Sequence, residues 1–564
     1  MLLQNILIPD NDKGCPEMFF RGGSVSNGCI NLKKGETLTF DTYFNSFSYT
    51  KYKEYTRVSE VTFELHHKGQ LDVRLMTYDG TDAYCVAQGK SSALKLDDLP
   101  ENAFLYAEIT AAEDCVITGG AFVCADEPKD ISVCIAICTF KRERYILRNI
   151  ELLRSYKFSF IKHIFVSDNG NTLDRAALSD DKISVLANKN YGGSGGFTRG
   201  MIEACDAGYT HVILMDDDVE FYPEVLERMT CFTALLKKQY TDSRFSAAML
   251  FLSEDTPYIQ WEMGGAWTGH CIESKCHNVD IRSREVLIDN MTSTPPDYGA
   301  WWCLCLPTAS IRKHGLSIPM FIKIDDVEHN LRSADGPLIT MNGAAIFHES
   351  FEKKMNMALD YYTIRNELVT AALHGSRTKD AVKLFVYSLG KHLLLYRYDN
   401  IPLIFKAVKD FLGGVDFFLS CDEEELNNEI RSCSPKLKKL TDITEYSHEL
   451  IKKAPSTVRK GKTLKCLLWN FMPAPFLKKE TIAAAIPYVS PQDMAGKRSV
   501  IQYQLDEDMG LLTRRSFYKF IKYGTIGAFL TLKLVFSFKR QQKIWLSRSS
   551  EVTSFEFWRK HLGI

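Results

Sequence analysis

The spacing of apolar and polar positions changes along the chain and divides it into parts with different predicted secondary structure. Over roughly the first 125 residues, short runs alternate apolar and polar positions between Gly, Asp and Asn, as in GETLTFDTYFNSF (35–47), EVTFELHHKG (60–69) and CVITGGAFVCA (115–125). A period of two is typical of strands with one buried face. Several short strands at this spacing predict an antiparallel β-sandwich or barrel over residues 1–128. We interpret this part as a structural module, with carbohydrate binding as the alternative.

After the linker ADEPKD (125–130), strand-like and helix-like patterns alternate. Strands are predicted over 131–140, 163–170, 182–190 and 210–218, and helices over 143–156 and 196–208. This order predicts an α/β domain with a doubly wound, mainly parallel sheet over residues 129–375. Such sheets bind ligands outside the carboxyl ends of their strands. Polar residues stand at those ends: Thr139, Asp168, Asn190, Asp216, Asp217 and Asp218.

Residues 376–564 show mostly helical periodicity. Segment 519–545 is apolar with Lys and Arg at both flanks. We predict that it is too short and too interrupted to span a bilayer. It is either an interfacial helix or a core helix with a basic edge. No run of 18 apolar residues occurs, so no transmembrane span is expected.

Composition argues against a nucleic-acid-binding protein and against a zinc-finger protein. The 564 residues carry a formal net charge of −1, which gives no reason to expect a nucleic-acid partner. The 16 cysteines are scattered through apolar runs without zinc-finger spacing. We interpret them as reduced thiols of a cytoplasmic protein.

Three consecutive aspartates end an apolar run in ILMDDDVEFYP (213–223). In a strand, Asp216 and Asp218 face the same side and Asp217 points elsewhere. Adjacent carboxylates repel, and a hard cation such as Mg²⁺ or Mn²⁺ would relieve that repulsion while bridging to phosphates. A solvated acidic turn or a helix cap is the alternative. His348 ends the run GAAIFH and is chemically sensible as a third ligand, although a lone histidine is often structural.

A second acidic pair, Asp325 and Asp326, lies in FIKIDDVEHNLR (321–332). A sheltered carboxylate there suits a general base, and a helix cap is the alternative. The glycine-rich NKNYGGSGGFTRG (188–200) allows close backbone approach and opens a helix, whose N-terminus favours phosphate. It lacks the established phosphate-loop patterns. The tryptophan pair of YGAWWCLCLP (298–307) indicates core packing or sugar stacking, and MGGAW (263–267) offers a further glycine–tryptophan surface.

The motifs CTFKR, VSDNG, NYGGSGGF, LMDDD, GAWWCLCLP, FIKIDDVEHNLR and GAAIFH follow one another in this order. Together they resemble the inverting nucleotide-sugar glycosyltransferases of GT-A fold, most closely the polymerising galactofuranosyltransferases of cell-wall galactan synthesis. TYFNSF (42–47), GGAFVC (119–124) and YYTIRNELV (361–369) extend the resemblance over residues 1–375. The C-terminal third matches only loosely.

The resemblance implies a role for individual residues. On the donor side, Thr139, Phe140 and Arg142 would line the uridine and diphosphate, Asp168 would hold the uracil, Asn190, Gly192 and Gly193 would form a loop against the donor, and Asp217 would lie against its sugar or ribose. Asp216, Asp218 and His348 would hold Mn²⁺ or Mg²⁺. On the acceptor side, Asp326 would be the catalytic base, Asp325 would bind acceptor hydroxyls, and Trp301 and Trp302 would shape the acceptor site.

The implied activity is transfer of galactofuranose from UDP-galactofuranose to a glycan acceptor, expected to be lipid-linked. The resemblance also implies a homo-oligomer that works at the inner face of the cell membrane. Lys141, Ile324 and the pair Glu328–His329 depart from the family pattern, which leaves acceptor and linkage open. The alternatives are a transferase using another nucleotide sugar such as dTDP-rhamnose, and a non-catalytic glycan-binding protein. The latter would be expected to have lost the aspartates, and all are present.

Overall fold

The computed structural model describes residues 1–9, 15–96, 104–350, 356–452, 454, 463–472, 476–477, 481–486, 488–505 and 508–564. Its first part consists of short strands and an α-helix. These elements are β1 (Leu2–Asn5), β2 (Ser24–Ser26), β3 (Cys29–Leu32), β4 (Thr37–Thr39), α1 (Tyr49–Tyr55), β5 (Val61–Lys68), β6 (Leu71–Tyr78), β7 (Ala83–Gly89), β8 (Ala93–Leu96), β9 (Phe104–Ala111) and β10 (Cys115–Val123).

These strands form two antiparallel sheets. One has the order β2-β3-β10-β5-β8 with β1 added to β10, and the other has the order β4-β9-β6-β7. The alternation seen in the sequence is realised in β5, where Val61, Phe63 and Leu65 are buried and the residues between them are half-exposed. The ring of Phe122 on β10 packs against Phe63 at 4.9 Å and against Phe47 at 4.7 Å. Aromatic packing of this kind builds the core of the N-terminal part.

The next part alternates strands and helices, as predicted. Its elements are β11 (Val133–Thr139), α2 (Glu143–Ser155), β12 (Ile161–Asp168), α3 (Arg175–Leu178), β13 (Ile183–Ala187), α4 (Gly192–Asp206), β14 (His211–Asp216), α5 (Pro223–Ala234), β15 (Arg244–Ser246), β16 (Ala248–Phe251), β17 (Ile259–Glu262), β18 (Gly265–Trp267), β19 (Ile272–Ser274), β20 (Val279–Asp280), α6 (Arg284–Thr292), β21 (Cys303–Pro307), α7 (Thr308–His314), α8 (Asp325–Arg332), β22 (Leu338–Ile339) and β23 (Ala345–His348).

The main sheet has the order β13-β12-β11-β14-β21-β15-β22. Strands β13, β12, β11 and β14 are parallel, and β21 runs antiparallel between β14 and β15. The chain moves outward from β11 to β13 and then returns to place β14 on the other side of β11. The strand order therefore reverses between β11 and β14, which is where open sheets bind ligands.

A second sheet, of order β20-β17-β16-β23, lies beside the main one. Strand β23 runs parallel to β16 and pairs His348 with Phe251. An antiparallel bridge joins Glu220, just after β14, to Phe347, with N–O distances of 2.9 and 2.7 Å. This bridge fixes the end of β23 against the segment that follows β14.

The C-terminal part is mostly helical, as expected, but it also contains strands that the helical periodicity did not predict. Its elements are α9 (Leu359–Leu373), α10 (Thr378–Leu394), α11 (Ile401–Leu412), α12 (Val415–Ser420), α13 (Glu423–Cys433), β24 (Lys438–Lys439), α14 (His448–Lys452), α15 (Thr463–Trp469), β25 (Ile482–Ile486), α16 (Pro491–Met494), β26 (Ser499–Gln504), β27 (Met509–Arg514), α17 (Phe517–Thr553) and α18 (Phe555–Leu562). The four strands form one sheet of order β24-β27-β26-β25.

Helix α17 corrects the prediction that its segment is too short to span a bilayer. It runs for 37 residues and is, within the described residues, the one helix long and apolar enough by length and composition to cross a membrane. Only 22% of its most apolar window is buried. One face, with Leu534, Phe538 and Trp545, packs into the C-terminal core, so at least this face belongs to the folded protein.

Candidate active site

An acidic cluster forms where β14 ends. Asp216 lies directly across from Cys138 of the neighbouring β11, at the carboxyl ends of both strands. One ligand atom each from Asp216, Asp218 and His348 lies within 4.8 Å of the others. Asp216 ends β14 and Asp218 lies in the turn that follows it, so the turn brings the two carboxylates together, and the fold adds His348 from a distant segment. The three groups form a candidate divalent-metal site.

The imidazole of His348 is held by both of its nitrogens. Nδ1 lies 2.7 Å from the carbonyl oxygen of Glu349, which accepts a hydrogen bond from it. Nε2 lies 3.3 Å from Oδ1 of Asp218. Burial lowers the pKa of His348, but the hydrogen bond to Asp218 and the charges of Asp218 and Asp216 outweigh it and raise the pKa above its ordinary value. A metal ion would displace the proton from Nε2 and bind there, while Nδ1 keeps its hydrogen bond to Glu349.

The carboxylates of this cluster are partly buried and repel one another, so a positive charge beside them would stabilise their ionised forms. Burial and the neighbouring charge of Asp218 raise the pKa of Asp216 to about 7. The half-exposed Arg142 supplies part of this positive charge, since its guanidinium lies 3.2 Å from Asp217 and also contacts Asp218. Two carboxylates and one neutral imidazole are a donor set that fits Mn²⁺ or Mg²⁺.

Other predicted donor-side residues surround the switch point. Thr139 is buried at the end of β11, and its hydroxyl and Arg142 counteract the rise that burial causes in the pKa of Asp217. Phe140 is half-exposed beneath the ammonium of Lys141. Asn190 is half-exposed next to the glycine run, and its side-chain oxygen lies 3.4 Å from the amide of Gly192.

Asp168, at the end of β12, accepts hydrogen bonds from the loop that follows this strand. The backbone amides of Gly170 and Leu173 donate to its two carboxylate oxygens at 3.0 and 2.9 Å. The side chain is fully buried. It therefore shapes the loop that follows β12, and a contact with uracil stays a prediction.

The glycine run is already helical, because α4 begins at Gly192 rather than at residue 196. Gly192 has φ +64°, and a Cβ there would lie 2.0 Å from the carbonyl oxygen of Phe321. Further along the same face, Gly196 packs on Cys138 and Gly200 on Ala136, with Cβ positions 2.1 and 2.4 Å from these side chains. Close packing against β11 and the Phe321 loop explains this spacing, and donor contact by Gly192 and Gly193 stays a prediction.

The second acidic pair opens α8. The hydroxyl of Ser194 donates to Oδ2 of Asp325 at 2.9 Å, and the amide of Val327 donates to Asp326 at 2.8 Å. Burial and the charge of Asp326 raise the pKa of Asp325 to about 7. Burial also raises the pKa of Asp326. A sheltered carboxylate with a raised pKa is a stronger base than a solvated one, which suits proton abstraction from a hydroxyl.

The loop before α8 has an unusual backbone. Phe321, Lys323 and Ile324 all have φ between +68° and +69°. Each such residue costs about 1–2 kcal/mol, so neighbouring contacts must hold the loop in place. Asn366 of α9 supplies three of them, donating to the carbonyls of Met320, Ile322 and Lys323. Such strain is typical of functional sites.

The two acidic clusters lie near the same side chain. Burial raises the pKa of the Cys138 thiol, and the charges of Asp217, Asp216 and Asp325 raise it further. Cys138 is therefore close to both clusters, on the strand at the centre of the switch point. The geometry brings the candidate metal site and the candidate base into one region.

Sequence reasoning missed Glu262, at the end of β17. Its carboxylate accepts a hydrogen bond from the hydroxyl of Ser274. Burial raises its pKa to about 7, and the charge of Asp326 contributes to the rise. Glu262 and Asp326 also act on Tyr298, whose pKa burial raises. A lone glutamate in an unremarkable strand carries no pattern, so only the fold reveals it.

The two tryptophans expected at the acceptor site, Trp301 and Trp302, are buried in the structure. Trp301 and Trp302 are 3% and 6% exposed, with Trp301 packed on Phe197 and Nε1 of Trp302 donating to the carbonyl of Ala247. Their rings are enclosed in the core rather than exposed for stacking, and a role in shaping the acceptor site stays a prediction. Trp267 of the MGGAW segment is half-buried and packs beside Ile324 and Val327. Trp267 is therefore more accessible than Trp301 and Trp302.

Comparison with known proteins agrees with this geometry. Residues 134–232 match glycosyl transferase family 2. The galactofuranosyltransferase GlfT2 of Mycobacterium tuberculosis is 25% identical over 79% of this chain and 75% of its own length. The GlfT2 of Mycolicibacterium smegmatis is 26% identical over 74% of this chain and 69% of its own length. These matches confirm the resemblance and support the GT-A fold.

Solved structures match more distantly. A crystal structure of GalNAc-T7 with UDP, GalNAc and Mn²⁺ covers 45% of this chain and 49% of that chain, with 10% identity and a TM-score of 0.35. The mannosyltransferase PcManGT of Pyrobaculum calidifontis, in complex with GDP-Man and Mn²⁺, covers 50% of this chain and 77% of its own, with 12% identity and a TM-score of 0.30. Likeness at this level carries no argument about substrates.

Proposed function

We propose that this chain, which is a glycosyltransferase, transfers galactofuranose from UDP-galactofuranose to a hydroxyl of a glycan acceptor and inverts the anomeric carbon. The observation that carries the proposal is the pairing of two acidic clusters near Cys138 at the switch point of the sheet. The likeness to GlfT2 over three quarters of the chain supports the choice of sugar.

On the donor side, Asp216, Asp218 and His348 would hold Mn²⁺ or Mg²⁺. Such an ion, when bound, neutralises charge on a leaving diphosphate. Arg142 is half-exposed beside the same carboxylates and can turn its guanidinium to a phosphate oxygen. Thr139, Phe140, Asp168, Asn190, Gly192 and Gly193 complete the proposed donor pocket, with Asp217 against the sugar or ribose.

On the acceptor side, Asp326 takes the proton from the attacking hydroxyl. Asp325, fixed by Ser194, orients the acceptor. The freed oxygen attacks the anomeric carbon from the face opposite the leaving UDP, so one displacement inverts the centre. Asp326 lies near enough for its charge to raise the pKa of Glu262, and we add Glu262 to the acceptor-binding residues. Trp267 supplies the apolar surface beside them.

The protein is further proposed to work on a lipid-linked acceptor at the inner face of the membrane, as a peripheral protein of the cytoplasm. Exposed apolar side chains along α17 and its many lysines support attachment to an anionic surface. A homo-oligomer is part of the same proposal and rests on the resemblance.

The first test is a donor screen with purified protein, a galactofuranosyl acceptor, Mn²⁺ or Mg²⁺ and a panel of nucleotide sugars, with release of the nucleotide as readout. We expect release from UDP-galactofuranose and its loss on adding a chelator. Release from dTDP-rhamnose instead would contradict the sugar assignment and keep the mechanism. Binding of donors with no release under any acceptor would favour a glycan-binding protein.

The base assignment makes a separate prediction. Asp326→Asn should lower kcat by at least about 1,000-fold, because the amide cannot accept the proton, while leaving the affinity for UDP and Mn²⁺ within about twofold. Calorimetric titration and single-turnover kinetics measure the two quantities. Glu273→Gln, an exposed carboxylate on β19, is the matched control and should keep its turnover. Normal turnover by Asp326→Asn would reject the base.

A further inference from the structure

Helix α18 docks on the catalytic part of the chain, although it follows the C-terminal helices. Trp558 is fully buried, and its indole Nε1 donates to the carbonyl of Ser317 at 2.7 Å. Just before α18, the carbonyl of Thr553 accepts a hydrogen bond from the amide of Leu316 at 2.8 Å. Both contacts fall on the segment that leads into the strained loop before Asp325.

The same helix brackets α4 at both ends. At the beginning of α4, His561 stacks on Tyr191 with ring centres 4.4 Å apart, and its carbonyl accepts a hydrogen bond from Lys189 at 3.1 Å. At the end of α4, Arg559 binds both carboxylate oxygens of Asp206 at 2.7 and 2.6 Å. Contacts from one short helix therefore fix α4 at both of its ends.

Position along α4 matters because this helix touches the proposed site directly. The hydroxyl of Ser194 holds Asp325, and its amide donates to the carbonyl of Phe321 at 3.2 Å. Gly192 presses on the same carbonyl without room for a Cβ. A shift of α4 would move Asp325 and the loop that carries Asp326 together.

A second network ties α18 to the helical part. Nε2 of His561 lies 2.7 Å from a carboxylate oxygen of Glu423, and the hydroxyl of Tyr191 donates to Asp422 at 3.2 Å. Asp422 and Glu423 are the N-cap and first residue of α13, so His561 and Tyr191 join the beginning of α4 to the beginning of α13. None of the contacts named here involves a metal ligand or Asp326.

We propose that His561 and Arg559 of α18 are positioning residues of the transferase, setting the place of α4 and through it the geometry of the Asp325–Asp326 pair. The inference rests on the proposed function for its kinetic consequence, whereas the positioning itself can be measured without turnover. A misplacement of about 1 Å in a catalytic group can cost up to about a hundredfold in rate. The candidate metal site lies outside α4, at the end of β14, in the turn that follows it and on β23, and is left unchanged.

The test compares His561→Ala and Arg559→Ala with Lys560→Ala, whose side chain is exposed on the same helix. We expect the first two variants to lower kcat by about tenfold while the affinity for Mn²⁺ stays within about twofold. Lys560→Ala should match the unmodified protein. Both altered side chains are partly exposed, so folding is expected to survive, and circular dichroism checks it.

Hydrogen–deuterium exchange supplies the readout that needs no substrate. In His561→Ala and Arg559→Ala, exchange should rise in peptides covering 189–197 and 318–327, and stay unchanged in β11 and β14. Unchanged exchange in both peptides, or kcat equal to that of Lys560→Ala, would overturn the inference. If the unmodified protein turned over no donor, the proposed function would fail, and the exchange data would still decide the positioning role.

Discussion

At the scale of single residues, the space around the backbone shapes the candidate site as much as the charged side chains do. Gly192 combines φ +64° with a carbonyl oxygen 2.0 Å from the place where a Cβ would stand. That carbonyl belongs to Phe321, the first of three residues with positive φ before the acidic pair. The glycine therefore serves the geometry of Asp325 and Asp326 from a distant part of the sequence.

Replacing this glycine should harm both stability and turnover. Gly192→Ala should lose about 1–2 kcal/mol for the left-handed backbone, and more because the Cβ displaces the Phe321 loop. Gly208→Ala is the matched control, since it has φ +76° and open space around it. Thermal unfolding and kcat measure the two effects. Equal losses of stability and activity in both variants would contradict the role of the close approach.

At the scale of elements, much of the catalytic part follows from periodicity. The strands predicted over 131–140 and 210–218 appear as β11 and β14, and the aspartates stand at the predicted edge. The pattern predicts a helix from residue 196, whereas α4 begins at Gly192, because glycine is a poor helix former and the close packing of this run against β11 is visible only in the fold. In the sheet of β24 to β27, β24 has only 2 residues and pairs with the distant β27, so no local pattern predicts it. Glu262 and the burial of Trp301 needed the tertiary fold.

Helix α8 contains a buried ion pair with a pH-dependent contribution to stability. Burial raises the pKa of Glu328, but Arg332 and His374 outweigh this effect and hold it at about 2. Because the folded pKa lies below the ordinary value of 4.5, the stabilisation is complete above pH 4.5 and is lost as the pH falls towards 2.

Substitution of this glutamate should remove that dependence. Between pH 4.5 and 3, the unmodified protein should lose about 2 kcal/mol more of its unfolding free energy than Glu328→Gln does. At neutral pH the variant should be the less stable of the two, because Arg332 loses its buried partner. Urea unfolding across this range measures both. Glu151→Gln, an exposed carboxylate on α2, should retain the slope of the unmodified protein.

At the scale of the whole molecule, one surface stands out. Exposed apolar side chains gather on α17 and the adjoining α10, where Phe536 is 83% exposed and Tyr518 and Tyr387 are each 73% exposed. Helix α17 also carries basic residues and has no acidic residue before Glu551. An apolar stripe with lysines at its flanks is typical of a helix that lies in a membrane interface.

The peripheral-membrane part of the proposal predicts lipid-dependent binding. The double variant Phe529→Ser with Phe536→Ser should lose most of its binding to vesicles containing phosphatidylglycerol in a flotation assay, because both rings leave the apolar stripe. Binding of the unmodified protein should weaken with salt and be poor on phosphatidylcholine alone. Tyr84→Ser, an exposed ring on β7, is the control and should bind normally. Equal binding by all three proteins would contradict this surface.

The Glu220–Phe347 bridge bears on the order in which the protein assembles. Of the three candidate metal ligands, Asp216 ends β14 and Asp218 follows it, whereas His348 lies on β23, which pairs with β16 and carries the bridge. We therefore expect a refolding chain to bring the three groups together only once β23 has paired with β16, because that pairing joins segments far apart in sequence. Uptake of Mn²⁺ during refolding would thus report the joining of the two sheets rather than the formation of either one.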